Sequence, residues 1–454
     1  MKKHNLYALV AAGLLASGMS VSSASAADLG GNCCADLEER IAELEATTAR
    51  KGNRKVSLTV SGWVGQQVTF WDDGVESNTY VHDLGSTLGS HVKFTGSAQI
   101  SPGWSAGYVL QLEAIGSDGL TTDQGTAGVL GNGPDGPGAL TGVANSVQTL
   151  QSYWFIKSDQ LGKVSVGKQS QASDNTAILV DGSGSLVPAN WVAYDTNAFA
   201  VRGLGAGTMI WGGTQGCFGM GGAWGDCNGL TQNVVRYDSP TFGGFSISAS
   251  WGEDDMWDVA GRYAGEWAGF KVAAAAAYNE VTDNRYNQGT LASLGGNPDM
   301  DYFQAGLFVM HVPTGLFGLV NYGDLDVDAA NGAGAYDAQT WYGKIGLRSR
   351  LSALGHTVFY GEYLNGQDGA IDLQFLGTTG AYGVAGNGGS SELEVWGGGI
   401  VQEVDAAAMS VWVKYRHMSF DATGVDAGGG IGGATVGVSA EDFQYVGVGG
   451  LINF

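Results

Sequence analysis

Long apolar runs are missing from this chain. Leu6–Leu15 is too short to cross a bilayer as a helix, and the Ala-rich Val272–Ala277 is shorter still; a spanning helix takes roughly 20 apolar residues. Proline is scarce, at 7 of 454 residues, which excludes collagen-like and proline-rich disordered chains. Only 14% of residues are charged, and 21 Lys and Arg face 44 Asp and Glu. The net charge of −23 argues against nucleic acid as a partner. The six histidines are scattered, and neither HExxH nor CxxC occurs. No Ser/His/Asp set can be nominated by spacing. The Gly runs Gly428–Gly433 and Gly397–Gly399 lack the strand-to-helix context of a phosphate loop. No catalytic residue, metal site or cofactor is therefore expected.

What is abundant is glycine, at 77 residues, together with alternation. In Glu441–Phe454, Val446, Val448, Gly450, Ile452 and Phe454 share one parity, and Tyr445, Gly447, Gly449, Leu451 and Asn453 the other. Successive strand side chains point to opposite faces, so this segment reads as a strand with one apolar face. From Lys55 the same holds: Val56, Leu58, Val60, Val64, Val68 and Phe70 alternate with Ser57, Thr59, Ser61, Gln67 and Thr69. A membrane chain without spanning helices must be a closed barrel, because only helices and closed barrels satisfy their backbone in lipid.

Brief turns are expected at Ser101–Gly103, Ser158–Gly162, Asp238–Thr241, Gly265–Gly269, Val312–Gly315, Leu351–Gly355 and Val404–Ala407. Polar or Gly-rich connections alternate with them, at roughly 72–90, 115–146, 170–231, 253–256, 280–299, 326–337, 366–390 and 419–440. Seven turns and eight loops make sixteen strands. An all-β, sixteen-stranded antiparallel transmembrane barrel over 55–454 is the expectation. Aromatics near strand ends (Phe70-Trp71, Trp104, Trp251, Trp257, Tyr322, Tyr360, Tyr363) suit girdles at the two interfaces. A propeller or solenoid would show a repeat period, and none is found.

The N-terminus reads as a secretory leader over 1–26. Lys2 and Lys3 precede the apolar run, and Ala24-Ser25-Ala26 offers the cleavage site before Ala27. Residues 27–54 then carry a linker and a short helix, Asp36–Arg50, with Leu37, Ile41, Leu44 and Thr48 on one stripe. It is suited either to a small bundle between protomers or to lying against the barrel rim. Cys217 and Cys227, ten apart, are expected to close a disulfide in an exported chain. The adjacent Cys33 and Cys34 are either free thiols or paired between chains.

Two segments carry a resemblance. Ser152–Gln169 (SYWFIKSDQLGKVSVGKQ) resembles a porin hairpin, with Lys168 where the family usually has Arg. Val234–Phe245 (VVRYDSPTFGGF) is similar to a porin turn. The chain thus resembles the general diffusion porins of Gram-negative bacteria, especially the alphaproteobacterial family. That resemblance implies an outer-membrane homotrimer set in lipid, a periplasmic helix, and a water-filled passage for small hydrophilic solutes and ions. It gives Phe454 the role of assembly signal. It also implies that the third long loop, Ser170–Thr231, folds inward and carries the constriction acids Asp174, Asp181, Asp195 and Asp226.

Basic residues belong on the wall facing that loop. Parity turns Lys93, Arg236, Arg262, Lys271, Lys344, Arg348, Arg350, Lys414 and Arg416 to the lumen, since a charge facing lipid costs roughly 2–4 kcal/mol at mid-depth. For Lys168 parity gives the outer face and the resemblance gives the lumen; the resemblance is followed. Rival readings are a sugar-specific channel using Trp191, Trp211 and Trp224 as an aromatic track, a barrel hydrolase, or an envelope anchor gripping phosphates through Arg50–Lys55.

Overall fold

The computed structural model describes residues 55–85, 88–114, 119–125, 147–203, 209–217, 224–252, 255–282, 299–328, 336–370, 390–425 and 435–454. The leader, Cys33, Cys34 and the expected helix at 36–50 lie outside the described residues.

The chain opens with β1 (Thr59–Asp72), β2 (Ser77–His82), β3 (His91–Ser101) and β4 (Trp104–Ala114). Next come β5 (Val147–Ser158), β6 (Gly162–Gln169), β7 (Gln232–Asp238), β8 (Phe245–Gly252), β9 (Trp257–Trp267) and β10 (Phe270–Val281). Then follow β11 (Asp299–His311), β12 (Leu316–Asp328), β13 (Tyr336–Ser352), β14 (Gly355–Gln367), β15 (Ser390–Val404) and β16 (Met409–Val425). The last two are β17 (Thr435–Ser439) and β18 (Phe443–Asn453).

These eighteen segments build a sixteen-stranded barrel. β2 and β3 both pair with β1, β2 along Gln67–Asp72 and β3 along Thr59–Trp63, so they are two halves of one strand. β17 and β18 likewise share β16. The barrel closes where β1 meets β18 antiparallel, from Trp63 opposite Asn453 to Asp72 opposite Gln444.

All seven short turns lie where expected. One of the two-residue turns joins β9 to β10 through Ala268 (φ 49°) and Gly269 (φ 83°). Two positive φ values in a two-residue hairpin give the twist that matches the flanking strands. The long connections also agree, with two differences. Residues 72–90 are not one loop, because β2 is paired within them, and 419–440 contains the end of β16 and all of β17. Both corrections are paired segments of only six and five residues, too short for alternation to mark them.

The outward row is apolar: Val64, Ile345, Ile400, Val413 and Val448 are all exposed. On a soluble domain such a contiguous belt would exceed the usual apolar patch many times over; in a barrel it faces lipid. Outward aromatics pair across neighbouring strands, as in Tyr322–Trp341, 4.5 Å between centroids, and Phe245–Tyr263, also 4.5 Å. Two expected girdle residues are not in it: Trp71 and Tyr360 are buried inside the barrel, where Trp71 packs on Phe199. Ile345, 71% exposed near the middle of β13, offers a direct check. Ile345→Arg should lower stability by about 2–4 kcal/mol, read as a reduced urea midpoint for the protein in vesicles.

Candidate pore constriction

The inward rows mix apolar residues with buried polar and charged ones. Gln67, Lys93, Gln111, Asp258, Gln304, Asn321, Lys344, Lys414 and Arg416 are buried although they lie on a barrel wall. Segment 170–231 covers them. It leaves β6, returns at β7 and packs its own apolar core, with Trp191, Trp211 and Trp224 each 1% exposed. Glycine makes the packing possible: at Gly225 a Cβ would sit 2.0 Å from the Trp191 ring.

Polar contacts fasten this segment to the wall from β8 round to β1. The Ser173 amide and hydroxyl donate to the Asp258 carboxylate (2.7 and 2.6 Å). The Ala177 amide donates to Gln304 Oε1 (2.8 Å). Lys344 Nζ meets Asp181 Oδ2 at 2.5 Å and donates to the Ala189 carbonyl at 2.8 Å. Lys414 Nζ meets Asp195 Oδ2 at 2.5 Å. Asp195 also accepts from the Tyr445 hydroxyl (2.9 Å) and Gln67 Nε2 (3.1 Å). Arg416 pairs with Glu362 at 2.8 Å, which in turn accepts from the Tyr342 hydroxyl at 2.7 Å, and Arg416 donates to the Asn190 carbonyl at 2.6 Å. The side chains of both lysine–aspartate pairs are fully closed off. Charges this deep are tolerated only when paired and hydrogen-bonded.

With the segment docked on that side, two cavities among the described residues lie against β3 to β10. One, of about 100 Å³, opens toward the long connections and is lined by Trp63, Gln111, Leu150, Asn190 and Asp226 among others. The other, of about 410 Å³, faces the short turns and carries Lys93, Lys163, Arg236, Asp238 and Arg262. Both are lined by Gln151, Ser170, Asp174 and Asn175, which therefore form the neck between them. The two cavities therefore adjoin beside the segment.

A family model for Gram-negative porins matches residues 8–387. The chain belongs to the Gram-negative porin family. Among solved structures it is similar to the anion-selective porin from Comamonas acidovorans, with 16% identity, a TM-score of 0.53, and coverage of 88% of this chain and 100% of that one. The trimer form of OmpT, an outer membrane protein from Vibrio cholerae, matches with 12% identity, a TM-score of 0.50, and coverage of 88% and 99%. At these identities the likeness is one of fold. A search of curated proteins finds no match.

Within the porin, the residues expected at the constriction divide. Asp174 lies at the neck and Asp226 in the cavity above it. Asp181 and Asp195 do not face the passage at all; they are spent in the ion pairs to Lys344 and Lys414. Among the expected bases, Lys93, Arg236 and Arg262 line the larger cavity. Arg236 binds Asp238 (2.7 Å) and the carbonyls of Ser170 and Gln171 (2.9 Å each), so it also pins the start of the inward segment. Arg262 donates to Ser248 Oγ (2.9 Å), the Ala172 carbonyl (2.6 Å) and Thr176 Oγ1 (2.9 Å). Arg348 is luminal and held by Glu403 (2.8 Å), while Arg350 pairs with Asp405 at the rim of the short turns. Lys271 shares the inward row of β10 with Ala273 and Ala275.

Lys168 is a correction. It stands opposite Ser152 and Asn233 in unbroken register, in the outward row with Val164 and Val166. Parity was the better guide, because no bulge re-aims the strand. The three tryptophans are also not a solute track, since they are buried in the core of the inward segment. Sequence reasoning missed Lys163, Asp238, Gln151 and Glu362. Asp238 was visible as the acid two residues after Arg236 in the second porin-like segment. Lys163 was visible by parity, since it is out of phase with the outward Val164 and Val166. Gln151 and Glu362 had no signal marking them among other polar residues.

Burial shifts the acids near the neck. Asp226 accepts no hydrogen bond among the described residues, and burial alone pushes its carboxyl up to about 7. Asp174 is raised well above the usual carboxylate range by burial and by the neighbouring Asp226 charge. The Cys217–Cys227 disulfide is present, with Cα atoms 4.9 Å apart, close to the return of the segment. A non-reduced digest should yield a peptide pair joined through these cysteines. Replacing both with serine should cost the segment about 2–3 kcal/mol of ordering and appear as increased open-channel noise.

Proposed function

We propose that this porin is a passive, water-filled outer-membrane channel for small hydrophilic solutes and ions. The observation that carries the reading is the pair of adjoining, charge-lined cavities beside an inward segment clamped to the wall. Solutes would diffuse through the neck at Gln151, Asp174 and Asn175 without a cofactor or a catalytic step. Selection would come from the charges that line the route, where fixed groups act on a solute at close quarters. Two roles divide the charged residues. Lys344, Lys414 and Arg416 with Asp181, Asp195 and Glu362 hold the constriction in shape. Lys93, Arg236 and Arg262 with Asp174 and Asp226 meet the solute.

The resemblance to general porins supports a homotrimer with a short periplasmic helix, and export through a leader ending at Ala26. Liposome swelling with sugars of increasing size tests the channel reading. Rates should fall steeply with solute size. Swelling no faster than protein-free liposomes for every solute would reject it. A sugar-specific channel is less well supported, because the tryptophans that favoured it are packed away from the passage.

A further inference from the structure

We infer that the passage prefers small anions to cations, and that Lys93 is the main residue setting that preference. The inference rests on the channel reading and adds to it the class of ion.

The whole chain is acidic, at −23, so an anion preference has to come from where the charges are. The larger cavity is lined by four bases, Lys93, Lys163, Arg236 and Arg262, and by two acids, Asp174 and Asp238. Asp238 is answered twice, by Arg236 at 2.7 Å and by Lys163 at 3.0 Å. Arg262 is held by a hydroxyl pair and a carbonyl, all neutral oxygens. Lys93, inward on β3 opposite Ser61, makes no ion pair among the described residues. The positive charge of Lys93 and Arg262 is therefore not cancelled by a carboxylate in contact.

The acids that would oppose them are withdrawn. Asp181 and Asp195 are sealed in their pairs with wall lysines. Asp258 lies behind Ser173 and Ser250, which donate to both of its oxygens. Asp174 is the one loop carboxylate at the neck, and Asn175 Nδ2 already donates to it at 2.5 Å. Charges on the outer loops are screened within about 8–10 Å at ordinary salt, whereas those inside a narrow lumen are screened much less. A positive excess in the wider cavity thus acts on every ion that has passed the neck.

Lys93 is also the cleanest probe. Among the described residues it makes no hydrogen bond to the inward segment, unlike Arg236 and Arg262, so its replacement leaves the clamp intact. The test is the reversal potential of the purified full-length porin in planar bilayers under a KCl gradient. Wild type should favour chloride over potassium, on the order of threefold or more. Lys93→Gln should bring the ratio toward unity, and Lys93→Glu should invert it. Lys163→Gln provides a second variant if either fails to insert. Lys168→Gln, in the outward row of β6, should leave the ratio unchanged. A wild-type preference for potassium, or a Lys93→Glu ratio equal to wild type, overturns the inference while leaving the channel reading intact. Absence of any conductance steps overturns the channel reading itself, and the inference with it.

Discussion

Lys344→Met should free the inward segment from the wall and raise single-channel conductance. Lys344 Nζ lies 2.5 Å from Asp181, and neither side chain of the pair has any exposure. Removing the lysine strands a buried carboxylate, at a cost of about 3–5 kcal/mol. The segment can avoid that cost by lifting Asp181 into water, which widens the passage past the neck. Since about 1.4 kcal/mol is tenfold in an equilibrium, even a partial penalty raises the population of the open arrangement about tenfold or more. Lys414→Met should act in the same direction but more weakly. Asp195 would keep its hydrogen bonds from Tyr445 and Gln67, so its charge would not be left bare. The combination Asp181→Leu with Lys344→Met should fall close to wild type, because no lone charge remains. Single-channel recordings decide the matter. If Lys344→Met conducts like wild type with equal noise, the clamp does not govern the width of the passage.

The second large effect concerns pH. Anion preference should weaken as pH rises from about 6 to 8, and Asp226→Asn should remove most of that dependence. Burial holds the Asp226 carboxyl at about 7 in the folded porin, against 3.8 for the free group. The groups that face it are Asp174 in the same segment and Tyr302 on β11. Asp174 in turn lies near Arg236 on β7 and near Asp258 and Arg262 on β9.

The sign follows from these neighbours. Below pH 6 Asp226 is protonated and adds no charge to the route. Above pH 8 it is ionised and adds a negative charge on the approach to the neck, which repels anions. The same shift predicts that the docked segment loses stability as pH rises from about 4 to about 7. The folded state binds the proton more tightly than the unfolded one, so stability falls with pH in that window and levels off above it. Reversal potentials at several pH values measure the first effect. A ratio that is flat between pH 6 and 8 in the wild type would show that Asp226 does not titrate on the conduction path.

Much of the barrel was legible in the residues. Val446, Val448 and Ile452 fell on one row and Tyr445 and Leu451 on the other, and the structure keeps that division. The failures are instructive because they are local. β2 and β17 are paired over only six and five residues, too few for alternation to separate a strand from a loop. Trp71 and Tyr360 were grouped with the girdles by their type and position near strand ends, although the parity of Trp71 already turned it inward, beside Thr69. At Lys168 a resemblance was preferred to parity, and the unbroken register favours parity.

The sequence by itself determined the architecture of this porin: the alternating rows, the turns between strands, the number of strands and the segment too long to be an ordinary loop. Those features are set by a period of two and by the cost of facing lipid with charge, and both act within one strand. Tertiary structure alone decided which acids are sealed against the wall. Asp181 and Lys344 are 163 residues apart in sequence, and Lys414 is still further from Asp195, yet each pair closes at 2.5 Å. Nothing within a few residues of Asp181 or Asp195 distinguishes them from Asp174 or Asp226. The distinction comes from which strand of the closed barrel each one docks against, and closure is a property of the whole chain.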